Sequence, residues 1–342
     1  MIVFRADANE QIGTGHVMRC LSVADALLSV GEEVIFVTAD HNGDRLIKNR
    51  GYNTICLNSD WTRLDEETIS FIELIKNEAP KITLVDSYYV TDNYFEKLSY
   101  HAKTVYFDDM NSQKWEVDYL INYNVFADTL DYSWYEGTGA RLLLGPRYAP
   151  LRNEFANMPP RKTRGVVSDI MVSAGGADPE GITELIMDCV CTNHEDITFH
   201  FIIGALNPRI EAIRKKEQNN IVLHVNEQNM SELMKKCDIA ISAAGTTLYE
   251  LCASGIPTIT YTLADNQLVA ADEFGKRGIM LNAGDCRSNS GFMTSLQRCL
   301  DDLILDRERR ETMSKKMTAL VDGNGAMNIV KVLMEDAGNN AN

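Results

Sequence analysis

Residues 1–27 read MIVFRADANEQIGTGHVMRCLSVADAL, and this stretch indicates the class of fold. The apolar run at 2–4 predicts a short strand, and the two glycines of GTGH (13–16) permit a tight turn after it. Apolar residues then recur at helical spacing until Gly31, a residue type that commonly ends a helix. The stretch therefore predicts a strand, a glycine-rich turn and a helix, with His16 at the start of the helix.

The same alternation of strands and helices continues along the chain. Further strands are predicted for the β-rich runs at 33–38, 54–57, 82–86, 104–109, 119–122, 169–176, 198–204, 221–225, 238–245 and 258–262. Continuous apolar strands between helices indicate parallel sheets that helices cover on both faces. The prolines and basic residues of MPPRKTRGVV (158–167) indicate a linker. We therefore predict two Rossmann-like, doubly wound α/β lobes facing a cleft, one over 1–157 and one over 165–342 that includes a helical tail.

The charge and cysteine content exclude several classes of protein. The 342 residues carry 33 basic and 49 acidic side chains, so the net charge of −16 repels nucleic acid and anionic membranes. No apolar run is long enough to cross a bilayer, and the charges at Arg5 and Asp7 argue against a signal peptide. The eight cysteines form no C-x-x-C pair, as expected for reduced thiols. We expect a cytoplasmic chain without nucleic-acid partners or membrane insertion.

A second glycine-rich turn, SAGGADPEG (173–181), also follows a predicted strand. Asp178 is placed to cap the next helix, with Pro179 at the first helical position. Free backbone amides around Gly175 and Gly176 could then bind a phosphate, although a glycine pair also occurs in ordinary tight turns.

A third turn, SAAGTTLYEL (242–251), carries two threonines after its glycine. Gly245, Thr246 and Thr247 bring hydroxyls and amides to a helix N-terminus, an arrangement that suits a diphosphate. Glu250 lies about one turn further on, where its carboxylate could accept hydrogen bonds from a ribose diol. The three turns in this order indicate a nucleotide site. Because no Asp-x-Asp motif is present, we expect no metal ion and no cofactor.

Longer stretches of the chain resemble known families. The pattern G-T-T-L-Y-E-L-x-A-x-G-x-P followed by D-N-Q (245–267) is similar to the nucleotide-sugar-binding lobe of two-lobed glycosyltransferases of the GT-B type. The first 27 residues, with VDSYYV (85–90), YFDDM (106–110) and LLLGPRYAPLRNEF (142–155), resemble the UDP-sugar hydrolase of pseudaminic acid biosynthesis. Related spore-coat polysaccharide proteins share the same frame. The resemblance extends from residue 2 to at least residue 277.

The resemblance implies an activity and a division of roles between the lobes. Water would attack the anomeric carbon of a UDP-linked 2,4-diacetamido-2,4,6-trideoxy hexose with inversion and release UDP, without a metal ion. The N-terminal lobe would bind the sugar and supply the base, and the C-terminal lobe would bind UDP. The UDP contacts would be Gly175, Gly176, Gly245, Thr246, Thr247 and Glu250. The substrate contacts would be Gly13, Gly15, Arg5, Asp7, Tyr88, Asn266 and Gln267.

His16 is the candidate general base. A free imidazole titrates near pH ~6.5 and can accept a proton at neutral pH. A helix N-terminus disfavours the imidazolium and would keep the ring neutral. The family credits the histidine of its G-T-G-H motif with this role, and it has an active-site tyrosine at the position of Tyr88. A capping role for His16 and a packing role for Tyr88 are the structural alternatives.

Several neighbouring charges have two interpretations at the level of sequence. Arg5 and Asp7 either form a structural pair or orient the candidate base and the substrate. Arg19 shares a helix face with that base, and a salt bridge is the simpler explanation for it. The adjacent carboxylates Asp108–Asp109 end a predicted strand and point to opposite faces, so we do not expect both to contact a ligand.

Two other activities compete with hydrolysis. One is a glycosyltransferase with the same fold, which would need an acceptor groove, and a membrane-working one usually shows an apolar or basic patch that this sequence lacks. The other is a nucleotide-sugar-binding protein without catalysis. Loss of the histidine would mark that class, and His16 is present.

Overall fold

The computed structural model contains two compact units and describes residues 1–176, 178–204, 207–216, 218–287 and 291–339. One unit comprises Met1–Asn153 together with the chain from Asn324 onward, and the other comprises Glu154–Gly323. Each unit is built on one parallel sheet, which confirms the prediction of two doubly wound α/β lobes.

The first unit contains a seven-stranded sheet with the order β3-β2-β1-β4-β5-β6-β7. Its strands are β1 (Ile2–Ala6), β2 (Val34–Thr38), β3 (Asn53–Cys56), β4 (Ile82–Asp86), β5 (Lys103–Phe107), β6 (Tyr119–Asn122) and β7 (Arg141–Leu144). Its first four helices are α1 (Gly15–Ser29), α2 (Asp44–Asn49), α3 (Leu64–Glu78) and α4 (Asp92–Ser99). Every residue of β1 and β4 is buried, because helices cover both faces of these central strands.

The second unit contains a six-stranded sheet with the order β10-β9-β8-β11-β12-β13. Its strands are β8 (Asp169–Ser173), β9 (Thr198–Ile203), β10 (Ile221–Val225), β11 (Ile239–Ala243), β12 (Thr258–Thr262) and β13 (Leu281–Asp285). Its helices are α5 (Ile182–Cys189), α6 (Ile210–Arg214), α7 (Met230–Lys236), α8 (Thr247–Ser254), α9 (Leu268–Lys276), α10 (Phe292–Leu305) and α11 (Arg307–Leu320). Phe199, Phe201 and Ile241 are fully buried in the core of this unit.

The edge strands β7 and β13 are not predicted by the sequence pattern. Only Leu143 is buried in β7, and only Ala283 is buried in β13. β13 lacks a continuous apolar run, which an edge strand that pairs on one side alone does not need. β7 contains three successive leucines, but no strand is predicted for them. The other two edge strands, β3 and β10, are predicted, so edge position alone does not prevent the prediction of a strand.

The chain returns to the first unit at its end. α12 (Gly325–Asn339) packs against α1, and its Ile329 and Leu333 side chains are buried. The side-chain amide of Asn328 donates to the backbone carbonyl of Arg147 at 2.9 Å. The structure differs here from the prediction, which places the whole helical tail in the second lobe. Helical spacing reveals a buried face but not which core covers it.

Both sheets have a point where the strand order reverses. In the first sheet β1 and β4 are neighbours, with β2 beyond β1 and β5 beyond β4. In the second sheet β8 and β11 are neighbours, with β9 beyond β8 and β12 beyond β11. Connections from such a pair leave in opposite directions and open a crevice at the carboxyl ends of the strands, where ligands of α/β sheets bind.

Candidate functional site

A small recess lies at the carboxyl ends of β1 and β4. Asp7 follows β1, Asp86 is the last residue of β4, and His16 is the second residue of α1. The lining side chains are Asp7, Ile12, His16, Trp61, Asp86, Ser87, Tyr88 and Tyr89. Three of the predicted site residues, Asp7, His16 and Tyr88, therefore lie together.

The turn before α1 is fastened by Asn9. Its side-chain oxygen accepts hydrogen bonds from the backbone N–H groups of Gln11 at 2.9 Å and Ile12 at 3.0 Å. Gly13 has a φ of +72°, a left-handed conformation that residues with a Cβ resist. Among the described residues, an added Cβ at Gly13 or Gly15 would meet no other atom within 4 Å. The two glycines therefore leave open space beside the start of α1.

His16 is buried, with 7% of its surface exposed, and two groups flank its ring. Its Nδ1 atom lies 3.6 Å from Oδ1 of Asp86, and its ring meets the Tyr88 ring edge-on with the centroids 4.7 Å apart. A separation of 3.6 Å exceeds a hydrogen bond, so the carboxylate acts on the ring through its charge. That charge favours a proton on Nδ1 and leaves Nε2 as the basic nitrogen.

Asp86 is fully buried and is paired with Arg19 of α1. Arg19 donates from Nη2 to Oδ1 and from Nε to Oδ2, each at 2.6 Å, which is a two-point contact. Burial alone would raise the pKa of Asp86, but Arg19 and His16 outweigh burial, so the pKa is lowered and the carboxyl is ionised at neutral pH. The expected salt bridge of Arg19 is present, and it fixes the carboxylate behind the candidate base.

Arg19 has a second carboxylate partner, Asp109. Its Nη1 atom donates to both oxygens of Asp109 at 3.0 and 2.8 Å and to the hydroxyl of Tyr123 at 3.1 Å. The Tyr88 hydroxyl also donates to Asp109, at 3.3 Å. One guanidinium thus holds two carboxylates and a tyrosine hydroxyl in place beside His16.

Asp108 has partners of its own. Its Oδ1 atom accepts hydrogen bonds from the backbone N–H groups of Met110 and Asn111, each at 2.9 Å. Burial raises its pKa, these two hydrogen bonds oppose the rise, and the neighbouring Asp109 adds to it. The two adjacent carboxylates thus serve different contacts, as the geometry of an extended strand predicts.

Arg5 is fully buried and supports Asp7. Its Nη1 atom donates to Oδ2 of Asp7 at 2.5 Å, and Nε and Nη2 donate to the carboxylate of Glu67 at 2.6 and 2.9 Å. The other oxygen of Asp7 accepts a hydrogen bond from the backbone N–H of Ala39 at 2.7 Å. These contacts favour the structural pair of the two sequence interpretations, in which Arg5 holds Asp7 in place.

In the second unit, the two predicted phosphate turns follow neighbouring strands. Gly175 and Gly176 come after β8, and Gly245 comes after β11. Gly175 has a φ of +79°, and an added Cβ at Gly204 would lie 2.2 Å from the carbonyl oxygen of Gly176. Because the strands are parallel, both turns lie at the same edge of the sheet, at its crevice.

The helix after the first of these turns begins later than predicted. Asp178 has a φ of +45°, and α5 starts at Ile182 rather than at Pro179. The carboxylate of Asp178 still caps the helix, because it accepts hydrogen bonds from the N–H groups of Ile182 at 2.9 Å and Thr183 at 3.0 Å. These amides are occupied, so the first turn would offer a phosphate its glycine backbone and not the helix N-terminus.

The threonine turn leads directly into α8, which begins at Thr247. Thr246 is exposed, and within the described structure its side chain makes no capping hydrogen bond to the helix. Glu250 is half-buried in the first turn of α8. The sequence predicts these residues as UDP contacts, and they share one helix start.

Asn266 and Gln267, which the sequence predicts as substrate contacts, belong to the second unit. They lie in a short 3₁₀ turn before α9. Asn266 is exposed, whereas the side-chain oxygen of Gln267 accepts a hydrogen bond from the backbone N–H of Leu263 at 2.9 Å. Asn266 is therefore the more accessible of the two side chains.

Two kinds of feature are not found in the described ranges. They contain no group of three or more His, Cys, Asp or Glu side chains that could hold a metal ion. Nor does any helix there combine the length and the apolar character of a membrane span. The eight cysteines have free thiols.

Sequence reasoning misses five residues of the recess, which are Ile12, Trp61, Asp86, Ser87 and Tyr89. Asp86 carries a recognisable signal, because it is a carboxylate at the end of a buried strand next to the reversal point. Trp61 and Tyr89 come from the loops after β3 and β4, and their rings meet with centroids 5.2 Å apart. No local pattern connects two such loops, so this pair becomes visible only in the fold.

Comparison with known proteins gives one domain match and several distant relatives. The model of the Glycosyltransferase family 28 C-terminal domain matches residues 169–332. The uncharacterized protein MJ1062 of Methanocaldococcus jannaschii is 25% identical over 293 residues, 81% of this chain and 58% of that protein, so the chain spans little more than half of that relative. The UDP-2,4-diacetamido-2,4,6-trideoxy-beta-L-altropyranose hydrolase of Campylobacter jejuni is 27% identical over 283 residues, 81% of this chain and 97% of that enzyme.

Solved structures match the chain over nearly its full length. MurG of Acinetobacter baumannii superposes with a TM-score of 0.71 at 14% identity, covering 98% of this chain and 99% of that one. At this identity the likeness shows the fold alone. The predicted GT-B-like pair of parallel-sheet lobes is thereby confirmed.

Proposed function

We propose that the chain is an enzyme that hydrolyses a UDP-linked 2,4-diacetamido-2,4,6-trideoxy hexose at its anomeric carbon with inversion, in pseudaminic acid-type nonulosonate biosynthesis. The observation that carries the proposal is the position of His16 at the recess, with Asp86 at its Nδ1 atom and Tyr88 against its ring. The name of the C. jejuni relative supports the choice of substrate. So does the resemblance of the segments around these residues to the same enzyme family.

In the proposed reaction a water molecule attacks the anomeric carbon from the side opposite UDP. Nε2 of His16 takes a proton from the water, whose oxygen forms the new bond to carbon, and the electron pair of the broken C–O bond leaves with UDP. General-base catalysis of this kind contributes ~10²–10⁴ in rate. Asp86 orients the ring and stabilises the charge that the proton brings.

Tyr88 would place a neutral hydroxyl beside the base, where its oxygen can accept a hydrogen bond. Burial and the Asp109 carboxylate raise its pKa, so the hydroxyl keeps its proton at neutral pH. It is half-exposed and lines the recess next to His16, within reach of a sugar hydroxyl or the attacking water. We assign it a binding role, because a group that keeps its proton does not act as the base.

The second unit would bind UDP. The amides and hydroxyls of Gly245–Thr247 and the amides of Gly175–Gly176 would neutralise the diphosphate, whose negative charge grows as the bond breaks. Glu250 would accept hydrogen bonds from the ribose hydroxyls. Asn266 and Gln267 would contact the donor from the same unit. The leaving group would be stabilised by these donors without a metal ion.

A GT-B glycosyltransferase is the second candidate, and the domain match over 169–332 favours it. The same histidine would then activate an acceptor hydroxyl in place of water. A nucleotide-sugar-binding protein without catalysis is the third candidate, but binding alone does not require a histidine paired with a buried carboxylate. The first two differ in one respect, which is whether the donor is consumed when no acceptor is present.

The test is release of UDP from the UDP-linked diacetamido sugar in metal-free buffer without an acceptor. The variants are His16→Asn and, as a matched control, His41→Asn, which changes an exposed histidine of the same unit. We expect wild type and His41→Asn to release UDP, and His16→Asn to keep its UDP affinity while turnover falls by ~10²–10⁴. Normal turnover of His16→Asn would remove that residue from the mechanism. Turnover that depends on an added acceptor would favour the transferase.

A further inference from the structure

An aromatic pair forms one wall of the recess beside His16. Trp61 follows β3 and Tyr89 follows β4, and their rings meet edge-to-face with the centroids 5.2 Å apart and 86° between the planes. Ile12, from the loop after β1, adds an aliphatic side chain to the same lining. Three separate loops thus contribute apolar surface to one small concave site.

These two rings differ from other aromatic residues of the first unit. Phe95, Tyr106 and Trp115 pack against one another and are at most 7% exposed. Tyr89 is 41% exposed and Trp61 is half-buried, although each packs against the other. Aromatic surface that stays open in a concave site is suited to apolar contact with a ligand.

The other side of the recess is polar and negatively charged. Asp7 is 6% exposed, and its two oxygens are held by Arg5 at 2.5 Å and by the N–H of Ala39 at 2.7 Å. The carboxylate is therefore fixed in place, and each oxygen keeps a further lone pair for a donor. The second lining carboxylate, Asp86, is ionised. This side repels an anionic group and favours one that carries an N–H or O–H donor.

We propose that the recess binds an acetamido group of the sugar, an inference that rests on the proposed function. The amide N–H donates to Asp7, and the methyl group packs against Trp61 and Tyr89. A hydroxyl substituent would use the carboxylate but leave the aromatic wall without contact. A bare methyl group would do the reverse. A secondary amide carries both features within two bonds, so it matches the two sides of the recess together.

The acetamido group would anchor the sugar next to the candidate base and exclude donors that lack it.

The kinetic test compares two donors and two variants. The donors are the UDP-linked diacetamido sugar and the same compound with hydroxyls in place of the acetamido groups. Trp61→Ser should lower kcat/KM about 10- to 100-fold for the diacetamido donor, the range of one apolar contact, and change it little for the hydroxyl donor. Trp134→Ser, at a partly exposed tryptophan of the same unit outside the recess lining, should leave both unchanged. An equal loss on both donors would overturn the proposal.

A binding measurement keeps this test separate from catalysis. Saturation-transfer NMR is recorded on the free diacetamido sugar with the wild-type chain, without UDP and without turnover. The acetamido methyl protons should receive the strongest saturation, which Trp61→Ser should abolish and Trp134→Ser should keep. Methyl signals no stronger than those of the ring protons would contradict the proposed contact between the methyl group and the aromatic pair. Methyl saturation without UDP release from either donor would overturn the proposed hydrolysis and leave the wall in place.

Discussion

Replacement of Asp86 by asparagine tests how the buried ion pair supports the base. The change keeps the shape of the side chain and removes the charge that lies 3.6 Å from Nδ1 of His16. At that distance, and with an effective dielectric constant of about 20, a pair of unit charges is worth about 4–5 kcal/mol. Arg19 repels the same imidazolium, so we take about half of that interaction energy, ~2 kcal/mol, as the contribution of Asp86. At ~1.4 kcal/mol per tenfold in rate, kcat should fall about 30-fold.

The same substitution weakens the first unit, and a control is needed for this effect. Loss of one partner from a buried ion pair costs ~3–5 kcal/mol when the other charge is left alone. Arg19 keeps its contact with Asp109 at 3.0 and 2.8 Å, so we expect a cost below ~3 kcal/mol. Asp109→Asn is the matched control, because it removes a carboxylate from the same guanidinium and leaves Asp86 beside His16.

The assay combines kcat for UDP release, the midpoint of urea unfolding and the affinity for UDP. Asp86→Asn should show the 30-fold lower kcat with unchanged UDP affinity. Asp109→Asn should lose comparable stability but much less of kcat. Equal losses of kcat in the two variants would refute the reasoning, because turnover would then follow the stability of the unit and not the charge beside the base.

Gly13→Ala should lower the free energy of unfolding by ~1–2 kcal/mol, because a φ of +72° is left-handed, and thermal unfolding measures this cost. The same change should lower kcat for UDP release, because it displaces the start of α1. Burial raises the pKa of Asp86, but Arg19 outweighs burial and the pKa is lowered in the folded state. The ion pair therefore contributes its full stability above the unfolded pKa of ~3.9, and this contribution is lost as the pH falls through the pKa of the folded state. The difference in urea midpoint between wild type and Asp86→Asn should therefore shrink below pH ~4. Asp178→Ala should lower the urea midpoint by an amount equal to ~1–2 kcal/mol, since it removes the acceptors of two amides at the start of α5. Glu250→Ala should weaken UDP binding in calorimetry and leave kcat at saturating donor near wild type; unchanged affinity would mean that its ribose role is wrong.

The central strands are predictable from the sequence because burial on both faces requires continuous apolar runs. The run ITLVD is predicted as a strand over 82–86, and β4 has those bounds. The run LNAGD of β13 carries no such signal, because three of its five residues are not apolar and this edge strand is only partly covered. α12 shows a different limit. Its apolar face is readable, but its choice of the first core depends on the fold of the whole chain.

The site is predictable where one segment of sequence carries the chemistry. Asp7 and Tyr88 each stand just after a strand, His16 stands at the start of the helix that follows β1, and the carboxyl ends of parallel strands meet at one edge. The pairing of Arg19 with Asp86 joins residues 67 positions apart, and the contact of Trp61 with its partner ring joins two loops. Such contacts depend on the order of strands in the sheet, which local spacing does not reveal.

The most direct test of hydrolysis at the anomeric carbon is UDP release in ¹⁸O-labelled water, followed by mass spectrometry of both products. The proposed mechanism predicts the label in the free sugar, because the water oxygen forms the new bond to carbon. Label in UDP would show attack at phosphorus and would contradict the role assigned to His16.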